Sequence, residues 1–316
     1  MSRLAAIALA LALAACAAPP HSPEGFVFAV MGDAPYGAAQ ERPFVEMIER
    51  LDAEPIVFAI HVGDIKAGGN SPCTDELFAR RKAEFDASAH PLIYTPGDNE
   101  WTDCRRKSNG AADPLERLAK LREVFFAGRR TLGRVELDTV AQNDRAPGCG
   151  AYPENLRWSH GRVTFTTVNV PGSKNNEGFD AASDAEALCR NAANARWIDD
   201  AADLVASGGD RALVIATQAD PWLDDIASYR ALIAHVAAVA QRLNRPVLFV
   251  HGDTHTYRFD KPFRDASGAS VPNAIRLETY GSPLVGWVRV SVDPDNPALF
   301  TVEPMLQAIV PVLGAD

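Results

Sequence analysis

The chain has 316 residues, of which 47% are hydrophobic and 23% are charged. This composition is that of an ordinary soluble enzyme, with one large domain or two small ones. The formal net charge of −10 argues against a nucleic-acid backbone or an anionic lipid surface as the main partner. A small phosphorylated ligand stays open, because a bound cation can reverse the local sign of the charge.

The N-terminus has the pattern of a secretory signal. A short positive start at Arg3 precedes an apolar run, from Leu4 to Ala15, that is too short to span a bilayer as a stable helix. Small residues directly before Cys16 resemble a bacterial lipobox, in which cleavage leaves the cysteine as a lipid-modified first residue. The alternative is an ordinary signal peptide with an incidental cysteine. We predict an exported protein, lipid-anchored in the cell envelope, with a signal peptide at 1–15, a tether at 16–25 and a single domain at 26–316.

Apolar runs and helical spacings alternate along the rest of the chain. Their order at the start, strand, helix, strand, helix, strand, predicts a parallel sheet with right-handed crossovers. The segment 128–150 lacks periodicity and is interpreted as an irregular insertion. A second sheet is expected from the hairpin and the tail. The predicted elements are strand 26–31, helix 40–51, strand 56–62, helix 75–88, strand 91–95, helix 114–126, hairpin 156–168, helix 184–207, strand 212–217, helix 225–243, strand 246–251 and tail strands around 275–279, 287–292 and 299–302.

Four cysteines remain when Cys16 is set aside. In an oxidising compartment they indicate two disulfides, with three possible pairings. We favour Cys73–Cys104 and Cys149–Cys189. A thiolate metal site is disfavoured because the chain has no C-x-x-C spacing, and free buried thiols stay open.

Acidic residues follow four of the predicted strands, each directly after a glycine. Ligands of open α/β sheets lie just outside the carboxyl ends of the strands, so these side chains should converge. Each Gly-Asp alone is typical of a simple turn. Four buried carboxylates would repel one another unless a divalent cation compensated them, and together with His255 they predict a metal site. The aspartates are Asp33, Asp64, Asp98 and Asp253.

The order and content of these loops resemble the calcineurin-like metallophosphoesterase superfamily, over about residues 26–301. The family pattern is D-x-H, G-D, G-N-H-D/E, a lone His after a strand, and G-H-x-H. The string P-G-D-N-E-W-T-D-C looks like that of an exported branch. The resemblance implies an α/β fold in which a two-sheet β-sandwich is flanked by helices, in four layers. It also implies a metal-dependent phosphoesterase with a binuclear centre at the strand ends.

The resemblance also implies which side chains hold the metal. Asp33 and Asp64 match the family's aspartates. At three further positions a different residue with an oxygen donor replaces the family's ligand. Of the family's histidine ligands, only the last is kept. Pro35 occupies a ligand position and cannot bind metal, but a tyrosine follows it. This harder set favours Mn, Mg, Fe or Ca over Zn, with one or two ions bound. The predicted ligands are Asp33, Tyr36, Asp64, Asp98, Gln218, Asp253 and His255.

The family's catalytic histidine is replaced by Asn99, and the acidic residue after it is kept as Glu100. Asparagine can donate a hydrogen bond but cannot supply a proton. His251 and His61 are candidates for the missing general acid, although a histidine in such a position is more often a satisfied core residue. We therefore predict Asn99, Glu100 and His251 as the catalytic residues.

The sequence leaves three functions open. The first is hydrolysis of phosphate mono- or diesters in the cell envelope, with a small phosphorylated substrate held by Lys66, Arg105 or Arg106. The second is a lipoprotein that kept the fold but lost catalysis, with a binding or structural role. A hydrolase of another bond is a weaker third. A polar loop at Asn175 and Asn176 can reach the site, and no nucleic-acid-binding surface is evident.

Overall fold

The computed structural model describes residues 25–128, 131–143 and 149–310. The predicted signal peptide and Cys16 lie outside these residues. Among the described helices, none combines the length and apolar character needed to cross a membrane. The helices and strands are, in chain order, β1 Phe26–Met31, α1 Ala38–Leu51, β2 Ala59–His61, α2 Asp75–Asp86, β3 Leu92–Tyr94, α3 Pro114–Phe125, β4 Val140–Gln142, β5 Tyr152–His160, β6 Val163–Thr167, α4 Gly172–Asn175, α5 Ala181–Gly208, β7 Ala212–Ala216, α6 Ala227–Leu243, β8 Val247–His251, β9 Arg258–Asp260, β10 Ala274–Glu278, β11 Leu284–Val292 and β12 Phe300–Ile309.

The strands form two mixed sheets. One has five strands in the order β12-β11-β1-β2-β3, and the other has seven in the order β4-β5-β6-β7-β8-β10-β9. β1, β2 and β3 are parallel, as the strand-helix alternation predicts. β6, β7, β8 and β10 are parallel as well. Parallel neighbours need a crossover connection, and the helices that supply it cover the outer faces of the sheets.

The central strands of each sheet are buried on both faces, which explains the continuous apolar runs of the sequence. On β1, Phe28 and Val30 enter the core between the sheets, while Ala29 and Met31 face a second core that includes residues of α1, α2 and α3. A third core packs β7 and β8 against α5 and α6. The layers are therefore helices, sheet, sheet and helices, and the predicted four-layer α/β sandwich is confirmed.

The expected composition of the second sheet was correct only in part. The hairpin β5–β6 and the tail strand β10 join the seven-stranded sheet, but β11 and β12 extend the five-stranded sheet. β11 pairs antiparallel with β1, placing Phe26 opposite Val292. Periodicity identifies a strand but does not show which neighbour it pairs with. β4 and β9 were not predicted, because three residues are too few to show a period.

The two favoured disulfides are confirmed. Cys73 and Cys104 have Cα atoms 5.8 Å apart and are bonded. Cys149 and Cys189 are bonded with a Cα separation of 5.6 Å. The first bond joins the segment between β2 and α2 to the short 3₁₀ helix that follows β3. It therefore ties together the chain segments that follow two of the acidic loops.

Candidate metal centre

The four acidic loops meet where the ends of the two sheets face each other. Asp33, Asp64 and Asp98 follow strands of the five-stranded sheet, whereas Asp253 follows β8 of the seven-stranded sheet. Ligand oxygens of Asp64, Asp98 and Asp253 lie within 4.8 Å of one another. Asp33 joins them because its Oδ1 accepts a hydrogen bond from the backbone N–H of Asp253 at 3.0 Å. The predicted convergence is observed, and the site lies between two sheets.

The glycine before an aspartate makes room for the carboxylate of a neighbouring loop. A Cβ atom added to Gly97 would lie 2.1 Å from Asp64 Oδ1, and one added to Gly252 would lie 2.2 Å from Asp33 Oδ2. Both carboxylates are buried, so neither has free space into which to retreat. These glycines are therefore required by close packing within the site, not only by the turn at each strand end.

The backbone at the site is strained. Asp33, Asp64 and His255 have φ values of 53°, 57° and 59°, and Asp253 has 82°. Side chains other than glycine rarely adopt this left-handed region, and each such residue costs about 1–3 kcal/mol. Strain of this kind persists only where the surroundings enforce it, and it clusters at functional sites.

The carboxylates are held in a strongly unfavourable electrostatic environment. Burial raises the pKa of Asp33, Asp64 and Asp253 well above the ordinary value of 3.8, and neighbouring carboxylates raise it further. Asp33 Oδ2 is buried and has no hydrogen-bond partner within the described part of the chain. A cluster of carboxylate oxygens with an unpaired acceptor fits a hard divalent cation.

Asn99 is directed into the cluster by its side-chain amide. Its Nδ2 donates to Asp64 Oδ2 and to the Tyr36 hydroxyl, both at 2.8 Å. The Tyr36 hydroxyl in turn donates to Asp64 Oδ2 at 3.0 Å. The predicted catalytic position is therefore in contact with two predicted metal ligands, and the amide stabilises the charge on Asp64.

The side-chain amide of Gln218 directs its nitrogen toward the carboxylates, whereas a metal ligand would direct its oxygen there. Its Nε2 donates to Asp98 Oδ1 at 3.0 Å and to Asp253 Oδ1 at 3.2 Å. Its Oε1 accepts from the backbone N–H of Gly172 at 2.6 Å. In this arrangement Gln218 links two carboxylates as a donor, and its oxygen would have to leave Gly172 to coordinate a cation.

His255 directs one ring nitrogen toward the acidic cluster. Its Nδ1 lies 2.7 Å from the Ser282 carbonyl oxygen, which can only accept, so Nδ1 carries the proton. Nε2 then presents its lone pair to the cluster, 3.7 Å from Asp33 Oδ1 and 3.3 Å from the Tyr36 hydroxyl. A ring fixed through its other nitrogen by a carbonyl is the usual arrangement of a metal-binding histidine.

Glu100 stabilises the acidic loops by accepting hydrogen bonds from their backbone. Its Oε1 accepts from the N–H groups of Gly97 and Asp64 at 2.7 and 3.1 Å and from the Tyr94 hydroxyl at 2.7 Å. Its Oε2 accepts from Ile65 N–H at 3.3 Å, and the side chain is fully buried. This geometry favours a positioning role over the catalytic one expected from the sequence.

Neither histidine proposed as a general acid bonds to a carboxylate of the acidic loops. His61 is saturated by backbone groups, with Nε2 3.3 Å from Ala34 O and Nδ1 accepting from Gly63 N–H at 3.2 Å. Burial lowers its pKa to about 3. His251 instead bonds to the Gly252 carbonyl through Nδ1 at 2.9 Å and belongs to a separate cluster. Both are placed as core histidines.

Ser173 and Asp103 also lie at the site, and the sequence did not predict them. Ser173 Oγ lies 2.8 Å from Asp98 Oδ2 and 2.6 Å from Asp103 Oδ1. Desolvation and the charge of Asp98 raise the pKa of Asp103 to about 7. The expected contacts were with Asn175 and Asn176 of the same loop. The loop follows β6 at the same end of its sheet as Asp253, and this placement was the only signal in the sequence.

Residues 173–176 form a single left-handed turn, which is why Ser173 reaches the carboxylates. All four have φ between 45° and 61°, so the backbone of α4 is left-handed over most of its length. Arg190 fixes the turn by donating to Asn175 Oδ1 at 2.6 Å and to the Asn175 carbonyl at 3.0 Å. Asn175 is therefore a support of the turn.

The cations near the site differ in accessibility. Lys66 is buried and donates to the carbonyls of Ala67 and Asn99 at 2.8 and 2.7 Å, so it braces the loop. The Arg106 side chain is half-exposed, paired with Asp103 at 2.8 Å and 3.4 Å from Ser173 Oγ. Arg105 instead donates to Asn176 Oδ1 at 2.6 Å. Arg106 is the best placed of the three to meet an incoming anion.

No protein-family model and no curated protein matches the sequence. Solved structures do match its fold. A dimetal phosphatase from Danio rerio has 13% sequence identity and a TM-score of 0.53, covering 90% of this chain and 96% of its own. GAP50, the anchor in the inner membrane complex of Plasmodium, has 8% identity and a TM-score of 0.50, covering 89% of each chain. The resemblance to the metallophosphoesterases is thus confirmed at the level of the fold, which this chain shares with a dimetal phosphatase.

Proposed function

We propose that the chain is a metal-dependent phosphoesterase acting on small phosphate mono- or diesters in the cell envelope. The observation that carries the proposal is the convergence of Asp64, Asp98 and Asp253, whose ligand oxygens lie within 4.8 Å of one another. The fold shared with a dimetal phosphatase supports it. Buried carboxylates on a strained backbone are unfavourable without a compensating partner.

The donor set fits one or two divalent cations. Asp33, Asp64, Asp98, Asp253 and His255 would hold them, with Mn, Mg, Fe or Ca favoured over Zn because nearly all donors are oxygens. A bound cation would supply Lewis acidity toward a phosphoryl oxygen and acidify bound water. Tyr36 and Gln218 complete the predicted set, although Gln218 would have to turn its amide.

The chain's own side chains would orient the substrate. Arg106 is placed to pair with a non-bridging phosphate oxygen at the rim of the site. Asn99 would donate a hydrogen bond but has no proton to give a leaving group. We therefore expect activity on esters with good leaving groups, such as aryl phosphates, to exceed activity on alkyl phosphates.

Export is part of the same proposal. The two disulfides support an oxidising compartment. The signal peptide and lipid anchor at Cys16 would hold the domain at the envelope surface, with no other membrane contact. Mass spectrometry of the mature chain purified from membranes tests this, because a lipid-modified N-terminal cysteine is expected.

Hydrolysis assays test the activity. The purified chain is incubated with aryl mono- and diester probes and with Mn²⁺, Mg²⁺, Ca²⁺ or Fe²⁺, in parallel with Asp64→Asn as the site variant. We expect cation-dependent turnover that Asp64→Asn abolishes. Absence of turnover with every cation, or turnover that Asp64→Asn leaves unchanged, rejects the proposal.

A second candidate is a lipoprotein with a binding or structural role and no catalysis. The side-chain amides of Asn99 and Gln218 favour it, because they donate to three of the carboxylates and offset part of their charge. This candidate predicts no metal in elemental analysis, or a metal that only stabilises the fold. Elemental analysis and the shift of Tm on adding EDTA detect a bound metal, and the hydrolysis assays then separate a phosphoesterase from a chain in which the metal only stabilises the fold.

A further inference from the structure

A second buried cluster lies behind the acidic loops, in the seven-stranded sheet. His251 and Glu278 end the neighbouring parallel strands β8 and β10 and lie opposite each other in register. Asp220 follows β7, on the other side of β8. One ring nitrogen of His251 and carboxylate oxygens of Asp220 and Glu278 lie within 4.8 Å of one another. All three side chains are buried.

The histidine of this cluster has a free nitrogen. Nδ1 lies 2.9 Å from the Gly252 carbonyl oxygen, which can only accept a hydrogen bond, so Nδ1 carries the proton. Nε2 therefore bears a lone pair, and this buried atom has no hydrogen-bond partner among the residues that the structure describes. Buried polar atoms are nearly always satisfied, so an orphaned imidazole lone pair beside two carboxylates points to a cation.

The charges of the cluster are only partly compensated. Arg258 contacts Glu278 Oε2 and lies 3.4 Å from Asp220 Oδ2. Arg276 is nearby but pairs with Asp260 at 2.6 Å. One guanidinium thus serves two carboxylates. A carboxylate oxygen has two lone pairs and can accept from more than one partner, so Asp220 and Glu278 keep lone pairs for another cation while Arg258 stays in place.

We propose that Asp220, His251 and Glu278 form a second divalent metal site, separate from the acidic loops and selective for Zn²⁺. One imidazole and two carboxylates, with a fourth position open to water, match the donors that Zn²⁺ takes in proteins. The front cluster has mostly oxygen donors, so the two sites would differ in metal preference. The backbone N–H of Asp220 donates to Asp253 Oδ2 at 2.9 Å, so the second site would also steady a residue of the first.

Zinc binding by the whole chain tests this. Equilibrium dialysis against Zn²⁺, followed by elemental analysis, compares the unchanged chain with His251→Gln and Glu278→Gln. We expect each variant to bind one Zn²⁺ per chain fewer. His235→Gln is the matched control, because His235 lies on α6, is not a member of the cluster, and has a side chain that is 28% exposed. Equal zinc content in the unchanged chain and both cluster variants overturns the proposal.

A measurement without any variant guards against misfolding. Crystals of the unchanged chain soaked in Zn²⁺ should show an anomalous peak at the zinc edge within bonding distance of His251 Nε2. A peak only among the acidic loops, or no peak at His251, rejects the site. The result is independent of the proposed phosphoesterase, because Asp64→Asn should abolish hydrolysis and still retain the zinc bound at His251.

Discussion

The backbone N–H of Asp253 donates to Asp33 Oδ1 at 3.0 Å across 220 residues of sequence. Asp33 follows a strand of the five-stranded sheet and Asp253 follows a strand of the seven-stranded sheet, so this bond joins the two sheets at the site. We expect Asp33→Ala to lower the free energy of unfolding by about 1–3 kcal/mol, because the N–H of Asp253 would lose its acceptor. Urea unfolding measures the change. Asp33→Asn, which keeps an oxygen acceptor, is the control and should lose less; equal losses would contradict the assignment.

The pH dependence of the EDTA-treated chain follows from the buried carboxylates. Burial raises the pKa of Asp33, Asp64 and Asp253 well above 3.8. The folded chain therefore holds protons that the unfolded chain releases, so this stabilisation is complete below about pH 3.8 and is lost as the pH rises. Asp103, whose pKa is raised to about 7, extends the window toward neutrality.

Calorimetry at constant ionic strength checks this dependence. The Tm of the EDTA-treated chain should fall as the pH rises from about 4 to about 8. Saturating Mn²⁺ should flatten the slope, because the cation replaces the protons. The double variant Asp64→Asn with Asp253→Asn should show a smaller slope than the unchanged chain. A Tm that rises over this range without metal would contradict the prediction.

The two disulfides provide a matched pair for separating stability from site geometry. Replacing Cys73 and Cys104 by alanine should cost about 3–4 kcal/mol of stability, as should replacing Cys149 and Cys189, because the closed loops have similar lengths of 31 and 40 residues. Only the first pair joins segments that follow acidic loops. We expect a loss of Mn²⁺ affinity in the first variant alone, measured by titration calorimetry; equal affinities in both variants would argue against this.

A histidine in place of Asn99 should change how the rate of hydrolysis depends on the leaving group. Asn99→His would supply a proton donor, and general acids contribute typically about 10²–10⁴-fold to rate. We expect hydrolysis of alkyl phosphates to rise by about 10²-fold or more, while aryl phosphates change little. Steady-state kinetics on both substrates measures the ratio. Asn99→Gln keeps an amide and serves as the control; a parallel rise in that variant would exclude proton donation as the cause.

The sequence reveals the location of the site better than its internal contacts. Asp33, Asp64, Asp98 and Asp253 were placed correctly because an apolar run followed by Gly-Asp is a local signal for a strand end. The sheet to which each strand belongs is not local. The sequence therefore could not show that Asp253 approaches from a different sheet, or that β11 and β12 lie beside β1.

Side-chain orientation was the least predictable feature. Whether Gln218 presents oxygen or nitrogen depends on Gly172, and whether Glu100 faces substrate or backbone depends on the N–H groups of Gly97 and Asp64. The contact of Ser173 with the carboxylates could not be predicted, because it depends on a left-handed turn that no residue pattern indicates. These contacts are tertiary. A sequence motif identifies the position of a residue but does not determine its side-chain rotamer.

Because the site lies between two sheets, the hydrophobic core beneath it sets the distance between them. Phe28 of one sheet meets Phe165 of the other edge-to-face with ring centroids 5.3 Å apart. Because packed interiors transmit strain, a change of ring size here would alter the gap between the sheets. The distance from Asp33 to Asp253 would change with it. Metal selectivity could thus be tuned from hydrophobic positions that touch neither metal nor substrate.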